Sequence, residues 1–468
     1  MRVTAAFSRL LDLPGIWVKK VRFEPDRVVV TVALRRKRLC CPKCSYATMA
    51  RENEQHHDSV WRHVDVGVRR RLEVRCRLRR LRCPEHGVHV EGVPFARDGA
   101  RFTRDFEDVV AWLMSKTDRT ATCRLVRIDW ETAGRIIKRV GDELVPADRL
   151  GELFEISLDE VAWRKGHRYL TLVGDHREGC VAWGTEGKGQ AAADQFFAAL
   201  DPSPENARSE RAGQRSWEPA PAIMVPFGPC PTVPAGEGIP GAWLAPGLEL
   251  DPCLFARASR LTAVSMDMTG GYAKSVREHA PQAEIVIDNY HVVQLATQAL
   301  DEVRREHWNE LRASNPTAAK QFKDARWSLL KNPEDLTERQ AQTLAALTAS
   351  RGKIARAWAM KEMVREIFRS GLTVAAVEKL IDRLLARLSR SRLQPFVRLG
   401  RTIRKHRQGI LAARRLGLSN TRAESLNNKV KLIVRRAYGF HSARAALALI
   451  LLACGPVTLT LPHERPVT

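Results

Sequence analysis

Hydrophobic and polar positions along the chain follow two periods, and the places where the period changes mark the elements. Residues 261–266 (LTAVSM) form an apolar run with β-branched members, broken by Thr269-Gly270-Gly271. Residues 272–280 fit a short helix that Pro281 stops. Residues 284–287 (EIVI) are a second short apolar run of the kind a buried strand shows, and Asp288 sits just past its end. Helical spacing resumes over 290–307. Ligands gather at the carboxyl ends of strands in open α/β sheets, which places Asp288 for chemistry. Asp is also a favoured helix N-cap, and Asp288 alone does not choose between the two roles.

Toward the N-terminus the period is two. Over 70–83, Leu72, Val74, Cys76 and Leu78 alternate with Glu73, Arg75, Arg77 and Arg79, which predicts one half-buried strand, with 61–68 as its partner. Cys76 falls on the apolar face and is read as a core residue. The period then becomes helical. Residues 103–117 put Phe106, Val109, Val110 and Leu113 on one face. A short helix over 120–126, a turn at Arg127-Ile128-Asp129 and a basic helix over 130–140 capped by Asp129 give a helix-turn-helix layout. Its candidate DNA-contacting positions are Thr132, Arg135, Lys138 and Arg139.

Residues 154–158 form an apolar strand followed by Asp159, with neighbouring Glu160 as the other candidate acid. A hairpin over 169–183 and a helix over 190–200 come next. Strand with Asp, two hairpin strands, helix, strand, helix, strand with Asp is the element order of a ribonuclease H-like core. Residues 201–255 are dense in Pro, Gly and Ala with little periodicity, as expected of a mobile loop. From 300 to 410 the pattern is helical and basic; over 373–391 Val374, Val377, Leu380, Ile381, Leu384 and Leu388 share one face, and the opposite, charged face is solvated or DNA-facing. Over 419–440, Leu426, Val430, Ile433 and Ala437 form one face, with Asn420, Glu424, Asn427, Lys431 and Arg435 on another. A single acid in a basic stripe suits a metal ligand near phosphates, whereas Thr421-x-x-Glu424 is also a capping box. Tyr438 hints at a nucleophile, but Gly439 and Phe440 at a helix end favour packing. The longest apolar run, 445–454, fits a buried helix.

Composition narrows the partner. Seventy-seven Lys and Arg against 53 Asp and Glu give a net charge of +24, which points to a polyanion, with nucleic acid the leading candidate. No stretch approaches the roughly 20 apolar residues of a membrane span. With no apolar signal core, the ten cysteines are expected in a reducing cytosol, in a cytoplasmic, nucleoid-associated protein. Cys41-Pro42-Lys43-Cys44 and Cys83-Pro84-Glu85-His86 are two chelating turns of zinc-compatible spacing. Cys41, Cys44, Cys83 and His86 are the expected Zn²⁺ ligands, with His89 and Cys40 as alternatives for the last position.

Taken together, CPKC, RRLRCPEHG, the helix-turn-helix, LDEVAWRKGHRYLTLVGD, VSMDMTGGY, PQAEIVIDNYHVV and SNTRAESLNNKVKLIVRRAYGF resemble the ISL-three family of bacterial insertion-sequence transposases. The resemblance covers most of the chain. It implies a DDE transposase that is multidomain α/β. A zinc ribbon (1–100) and a helix-turn-helix (101–150) precede a ribonuclease H-like core (151–300 and 411–468), interrupted by an all-helical insertion (301–410). The family's catalytic acids fall on Asp159, Asp288 and Glu424, which suit Mg²⁺ or Mn²⁺. His291 would orient a phosphate or carboxylate, while Lys431 and Arg435 would balance phosphate charge. The implied partner is double-stranded DNA, as terminal repeats and as target, bound by a homo-oligomer with no membrane. The implied reaction is hydrolysis at the element's end followed by attack of the freed 3′-hydroxyl on target DNA. Two departures stand out: His86 where a cysteine is common, and the Pro/Gly-rich 206–255, which looks like an extra insertion. The rival classes are a zinc-bearing transcription regulator, which needs only the first 145 residues, a nuclease that cleaves without joining, and an inactive transposase remnant.

Overall fold

The computed structural model describes residues 2–67, 69–164, 166–201, 257–268, 270–418 and 420–465. The expected loop over 206–255 lies outside them. The described residues form two compact units, one from Met1–Asp148 with Ile433–Thr468, the other from Arg149–Leu200 with Arg257–Leu432.

The first unit begins with a helix, α1 (Val3–Leu11), and a hairpin, β1 (Ile16–Phe23) and β2 (Arg27–Leu34). Val28, Val29, Val30 and Val32 make β2 apolar on both faces, so it takes the interior of a sheet. Three short strands follow: β3 (Leu39–Cys40), β4 (Ala47–Thr48) and β5 (Asn53–Glu54). Then come β6 (Ser59–Val66), β7 (Arg70–Cys76), β8 (Arg79–Cys83) and β9 (Gly87–Val90). One sheet has the order β1-β2-β7-β6 and another β5-β8-β9.

The single strand expected over 70–83 is therefore two strands in two sheets. The reason is a change of parity: the buried positions run 72, 74, 76, 78 and then 81, 83. A side chain can keep to one face only while the count stays even. The chain turns over between Leu78 and Leu81, and β8 leaves for a different partner. Cys76 packs as expected among Val30, Val32, Leu72 and Val74. Each such fully buried aliphatic contributes about 1.5–3 kcal/mol.

Helices α2 (Arg104–Lys116), α3 (Arg119–Val126) and α4 (Trp130–Leu144) follow, each with a side-chain N-cap: Thr103 to Phe106 N–H, Asp118 to Ala121 N–H and Asp129 to Thr132 N–H. Each cap is worth about 1 kcal/mol. The inner face of α2 differs from the expected one. Phe106 and Val110 are buried, but Val109 and Leu113 are half-buried, while Glu107 and Asp108 point inward. Arg97, itself 5% exposed, draws them in, with Nη1 3.3 Å from Glu107 and Nη2 2.7 Å from Asp108.

The second unit carries a five-stranded sheet, built from β10 (Glu155–Arg164), β11 (Arg168–Asp175), β12 (Cys180–Glu186), β13 (Ala263–Met266) and β14 (Glu284–Ile287). Their order is β12-β11-β10-β13-β14, with β10 to β12 antiparallel and β13 and β14 parallel to β10. Helices α5 (Gln190–Leu200) and α6 (Gly270–His279) cover one face, where Ile156, Leu158, Phe196, Tyr272 and Val276 share a core.

Eight helices run from the end of β14: α7 (Asn289–Ser314), α8 (Pro316–Asp324), α9 (Arg326–Leu330), α10 (Glu338–Ala349), α11 (Lys353–Ile367), α12 (Val374–Ser389), α13 (Gln394–Lys405) and α14 (Arg407–Arg415). As expected, α12 buries Val377, Ile381, Leu384 and Leu388; Val374 at its start is exposed and Leu380 half-buried. These helices share one apolar cluster with Ile287 of β14, so the insertion is fused to the sheet's last strand. At Gly409 of α14 a Cβ would meet Ile287 Cγ1 at 2.6 Å, so only glycine permits that approach.

The chain ends with α15 (Asn420–Arg436) and α16 (Ala443–Cys454). Leu426, Val430, Ile433 and Ala437 are all buried, as their spacing predicts. The apolar run of α16 is a buried helix, but it packs on α4 in the first unit, with Ala448 Cβ against Gly141, where 411–468 was expected to complete the core. No helix among the described residues is long and apolar enough to cross a membrane.

Candidate active site and Cys/His centre

The Cys/His centre is built by two hairpins. Cys41 and Cys44 lie on the turn joining β3 to β4, where Cys41 N–H donates to Tyr46 O at 2.8 Å. Cys83 and His86 lie on the turn joining β8 to β9, and Gly87 closes it with φ +74°. Leu39 and Leu81 pack against the thiols. The ligand atoms of Cys41, Cys44, Cys83 and His86 all lie within 4.8 Å of one another. Cys44 Sγ is 3.7 Å from Cys83 Sγ, and Cys83 Sγ is 3.7 Å from His86 Nδ1. A tetrahedral ion with metal–sulfur bonds of about 2.3 Å separates its ligand atoms by about 3.6–3.8 Å, so the residues fit a metal. Cys40 and His89 are outside the group. Burial opposes ionisation of Cys83, but hydrogen bonds from the His86 ring, from the backbone N–H groups of His86 and Glu85, and from Cys44 bring its thiol down to about 6. Burial pushes the Cys44 thiol up to about 11.

The acidic site lies within the second unit. Asp159 was expected just after its strand, but β10 continues to Arg164 because Val161 and Trp163 are also buried. Asp159 is therefore in mid-strand, and alternation decides between it and Glu160. Glu160 shares the α5/α6 face, where the buried Tyr272 hydroxyl reaches it and lies 2.9 Å from Thr171 Oγ1. Asp159 points to the opposite face, where Asn427 of α15 donates to its Oδ2 and Glu160 N–H donates to its Oδ1 at 2.7 Å. A Cβ on Gly174 would meet Ser157 Oγ at 2.5 Å and Leu426 at 3.3 Å, so glycine there lets α15 approach the sheet.

Asp288 serves as the N-cap of α7. Its Oδ1 accepts from Tyr290 N–H at 2.8 Å, capping α7, while its Oδ2 is 3.8 Å from His291 Nε2. Glu424 is exposed near the start of α15. Thr421, its partner in the capping-box reading, has a side chain outside the described residues. The charge of Asp288 acts on each of the other two acids. Partial desolvation of the otherwise exposed side chain, then the charge of Asp288, pushes Glu424 above the usual carboxylate range, and Lys431 and His291 oppose the shift. Burial is the main cause that raises Asp159, again with Asp288 adding and His291 and Lys431 opposing. Among the described residues, the three carboxylates do not form a close ligand cluster of the kind the Cys/His side chains form. Their oxygen donors suit a hard divalent cation, whose charge would relieve the repulsion that raises them.

Arg435 is exposed in the last turn of α15. Tyr438, expected to pack, is 72% exposed with φ +51°, and Phe440 packs instead. Asn427 was visible in the polar stripe without a role; its place three residues after Glu424, on the same helix face, was the signal.

On α4, Arg135 is exposed, while Thr132 and Lys138 are half-exposed. Arg139 differs: its Nε donates to the fully buried Glu107 at 2.9 Å, which commits its guanidinium to the interior.

Comparison with known proteins agrees with this geometry. Residues 252–450 match the model of a transposase family, and residues 91–141 match the helix-turn-helix domain of transposase family ISL3. The chain is 33% identical over 503 residues to the transposase for insertion sequence element IS1557 of Mycobacterium tuberculosis, found alike in two strains, covering 100% of this chain and 99% of the relative. It is 25% identical over 442 residues to the transposase for insertion sequence element IS1001 of Bordetella parapertussis, covering 92% and 94%. With a full-length relative above 30% identity and both domains matched, the chain belongs to the ISL3 family of bacterial insertion-sequence DDE transposases.

Proposed function

We propose that the protein binds the ends of its insertion sequence and catalyses phosphodiester cleavage and strand transfer, with Asp159, Asp288 and Glu424 as one catalytic unit on a ribonuclease H-like core. The observation that carries the reading is the meeting of three acids from β10, the end of β14 and α15, close enough for Asp288 to raise both of the others. The strand order β12-β11-β10-β13-β14, with the first three antiparallel and the last two parallel to β10, supports the core assignment.

The three carboxylates would hold Mg²⁺ or Mn²⁺, which supplies charge stabilisation and a nucleophilic hydroxide at neutral pH. The chain's own groups do the positioning. Asn427 orients Asp159 by donating to Oδ2, and Glu160 N–H fixes Oδ1. The cap on α7 locks Asp288, leaving its Oδ2 toward His291. Lys431 places positive charge beside the acids, where a phosphate would sit, and His291 lies 3.8 Å from Asp288 as a candidate phosphate donor. The freed 3′-hydroxyl would attack a phosphorus of the target backbone and displace the target's own 3′-oxygen, so one phosphodiester bond forms as another breaks and no covalent protein–DNA bond is needed.

Zn²⁺ is the proposed ion of the Cys/His centre, where it holds the two hairpins together as a structural site. Thr132, Arg135 and Lys138 are the proposed DNA contacts of α4. An assay with the element's own ends, scoring cleavage and joining separately, tests the whole: joining separates a transposase from a nuclease, and either product excludes a simple regulator.

A further inference from the structure

Helices α11 and α12 border an open groove of about 460 Å³, whose wall is cationic. Arg383 and Arg387 line it from α12, Arg390 from the C-cap of that helix and Arg356 from α11, over a floor of Met360 and Ala386. All four arginines are exposed. Arg356 Nη1 donates to Ser391 O at 3.3 Å; none of the four has an ion-pair partner among the described residues. Acids are not lacking nearby. Glu378 and Asp382 of the same helix both pair with Arg407, at 2.9 and 3.2 Å. The charges of α12 are thus sorted, with its acids engaged elsewhere and its arginines left to the groove.

Like charges spaced four apart destabilise the helix that carries them, and although Arg387 in the last turn suits the helix dipole, folding gives no reason for Arg383 to share its face. A polyanion does. At a rise of about 1.5 Å per residue, Arg383, Arg387 and the capping Arg390 span roughly 10 Å, which matches on the order of three phosphates along one DNA strand. Arginine's planar fork suits phosphate oxygens, and the apolar floor makes no base-specific contact.

We propose that this groove seats the phosphate backbone of duplex DNA, as a second, sequence-independent contact in the helical insertion. The proposal rests on the reading that the protein works on DNA, and adds a binding surface on elements other than those that carry the helix-turn-helix and the acids.

The test uses the full chain, a random-sequence duplex and no divalent metal. Affinity is measured against salt for the parent and for R383Q/R387Q/R390Q. Each phosphate contact contributes about 0.9 to the slope of log K against log salt, so the slope should fall by roughly 2–3 in the triple variant. Its melting temperature should hold or rise, because repulsion is removed. The triple lysine variant, which keeps the charge, should recover the slope. An unchanged slope overturns the proposal, as does a lost slope accompanied by a fall in melting temperature, which would mean a structural role. Binding of poly-glutamate that needs these arginines while the DNA slope stays unchanged would assign the groove to an acidic protein and also overturn it. Failure of the functional reading has a separate signature, undiminished cleavage by Asp288→Asn, which leaves the salt slope untouched.

Discussion

The Cys/His centre and the acidic site are both sets of metal-compatible side chains, yet they are built in opposite ways. The first is closed. Four ligand atoms lie within 4.8 Å of one another, Cys41 and Cys83 are buried, and every ligand sits on a tight hairpin turn. The second is open. Its acids come from a mid-strand position, a strand end and a helix, and among the described residues they do not form a close ligand cluster. Structural metal sites fill their coordination with protein, whereas catalytic ones keep positions for water and substrate. Soft donors at short sequence spacing make the first kind, hard donors brought together by tertiary structure the second.

The largest expected effect breaks the closed site. Cys44→Ser should strip the metal from the purified chain, about one ion per chain in the parent, and loosen both hairpins, since structural zinc contributes on the order of 10 kcal/mol. Cys76→Ser should keep the metal. Metal analysis by atomic emission checks both, and full metal content in Cys44→Ser removes it from the ligand set.

A smaller effect separates interior from surface on α4. Arg139→Ala leaves Glu107 buried with one partner fewer and should cost about 3–5 kcal/mol in denaturant unfolding. Arg135→Ala, whose partner Glu131 is exposed, should cost less than about 1 kcal/mol and instead change DNA preference. Equal costs would contradict the assignment of Arg139 to the interior.

The next expectation concerns pH. Burial holds His63 neutral down to about 4, and its Nδ1 lies 2.8 Å from Thr103 Oγ1, the cap of α2. The unfolded chain takes up a proton near pH 6.5 that the folded chain refuses, so stability is complete above that pH. It is lost as pH falls toward 4, by at most about 3 kcal/mol. His63→Gln should flatten this part of the stability–pH curve of the first unit; an unchanged slope would contradict it.

The smallest effect sharpens the open site. Asp159 and Glu424 have raised pKa values, so without metal their charged forms oppose folding, and stability should rise as pH falls through the raised values. Asp288→Asn removes a cause common to both shifts and should raise metal-free stability by less than about 1 kcal/mol. A clear loss would mean that the three acids do not repel.

Local signals were legible in the sequence. The CPKC and CPEH turns, the caps at Asp129 and Asp288 and the apolar face of α15 each depend on residues a few positions apart. The misreadings came where distant residues decide. Glu107 and Asp108 face inward because Arg97 and Arg139 wait there. The end of β7 was marked by a parity change, but arginines interleaved with apolar residues on both sides of it hid the break. Asp159 seemed to end its strand because Glu160 follows; its true setting, opposite Asn427, depends on a residue 268 positions away.

The central claim is that Asp159, Asp288 and Glu424 act as a unit, and Glu424→Gln tests it most directly. The amide keeps the size and the capping capacity of the side chain but removes its charge. Cleavage and joining of element ends should be measured with Mg²⁺ and Mn²⁺, beside DNA binding by the same protein. The account predicts that both reactions fall by at least about 10³-fold while DNA binding persists, and that adding Asp288→Asn costs little more. Near-normal cleavage and joining in Glu424→Gln would contradict it, removing the third acid from the site.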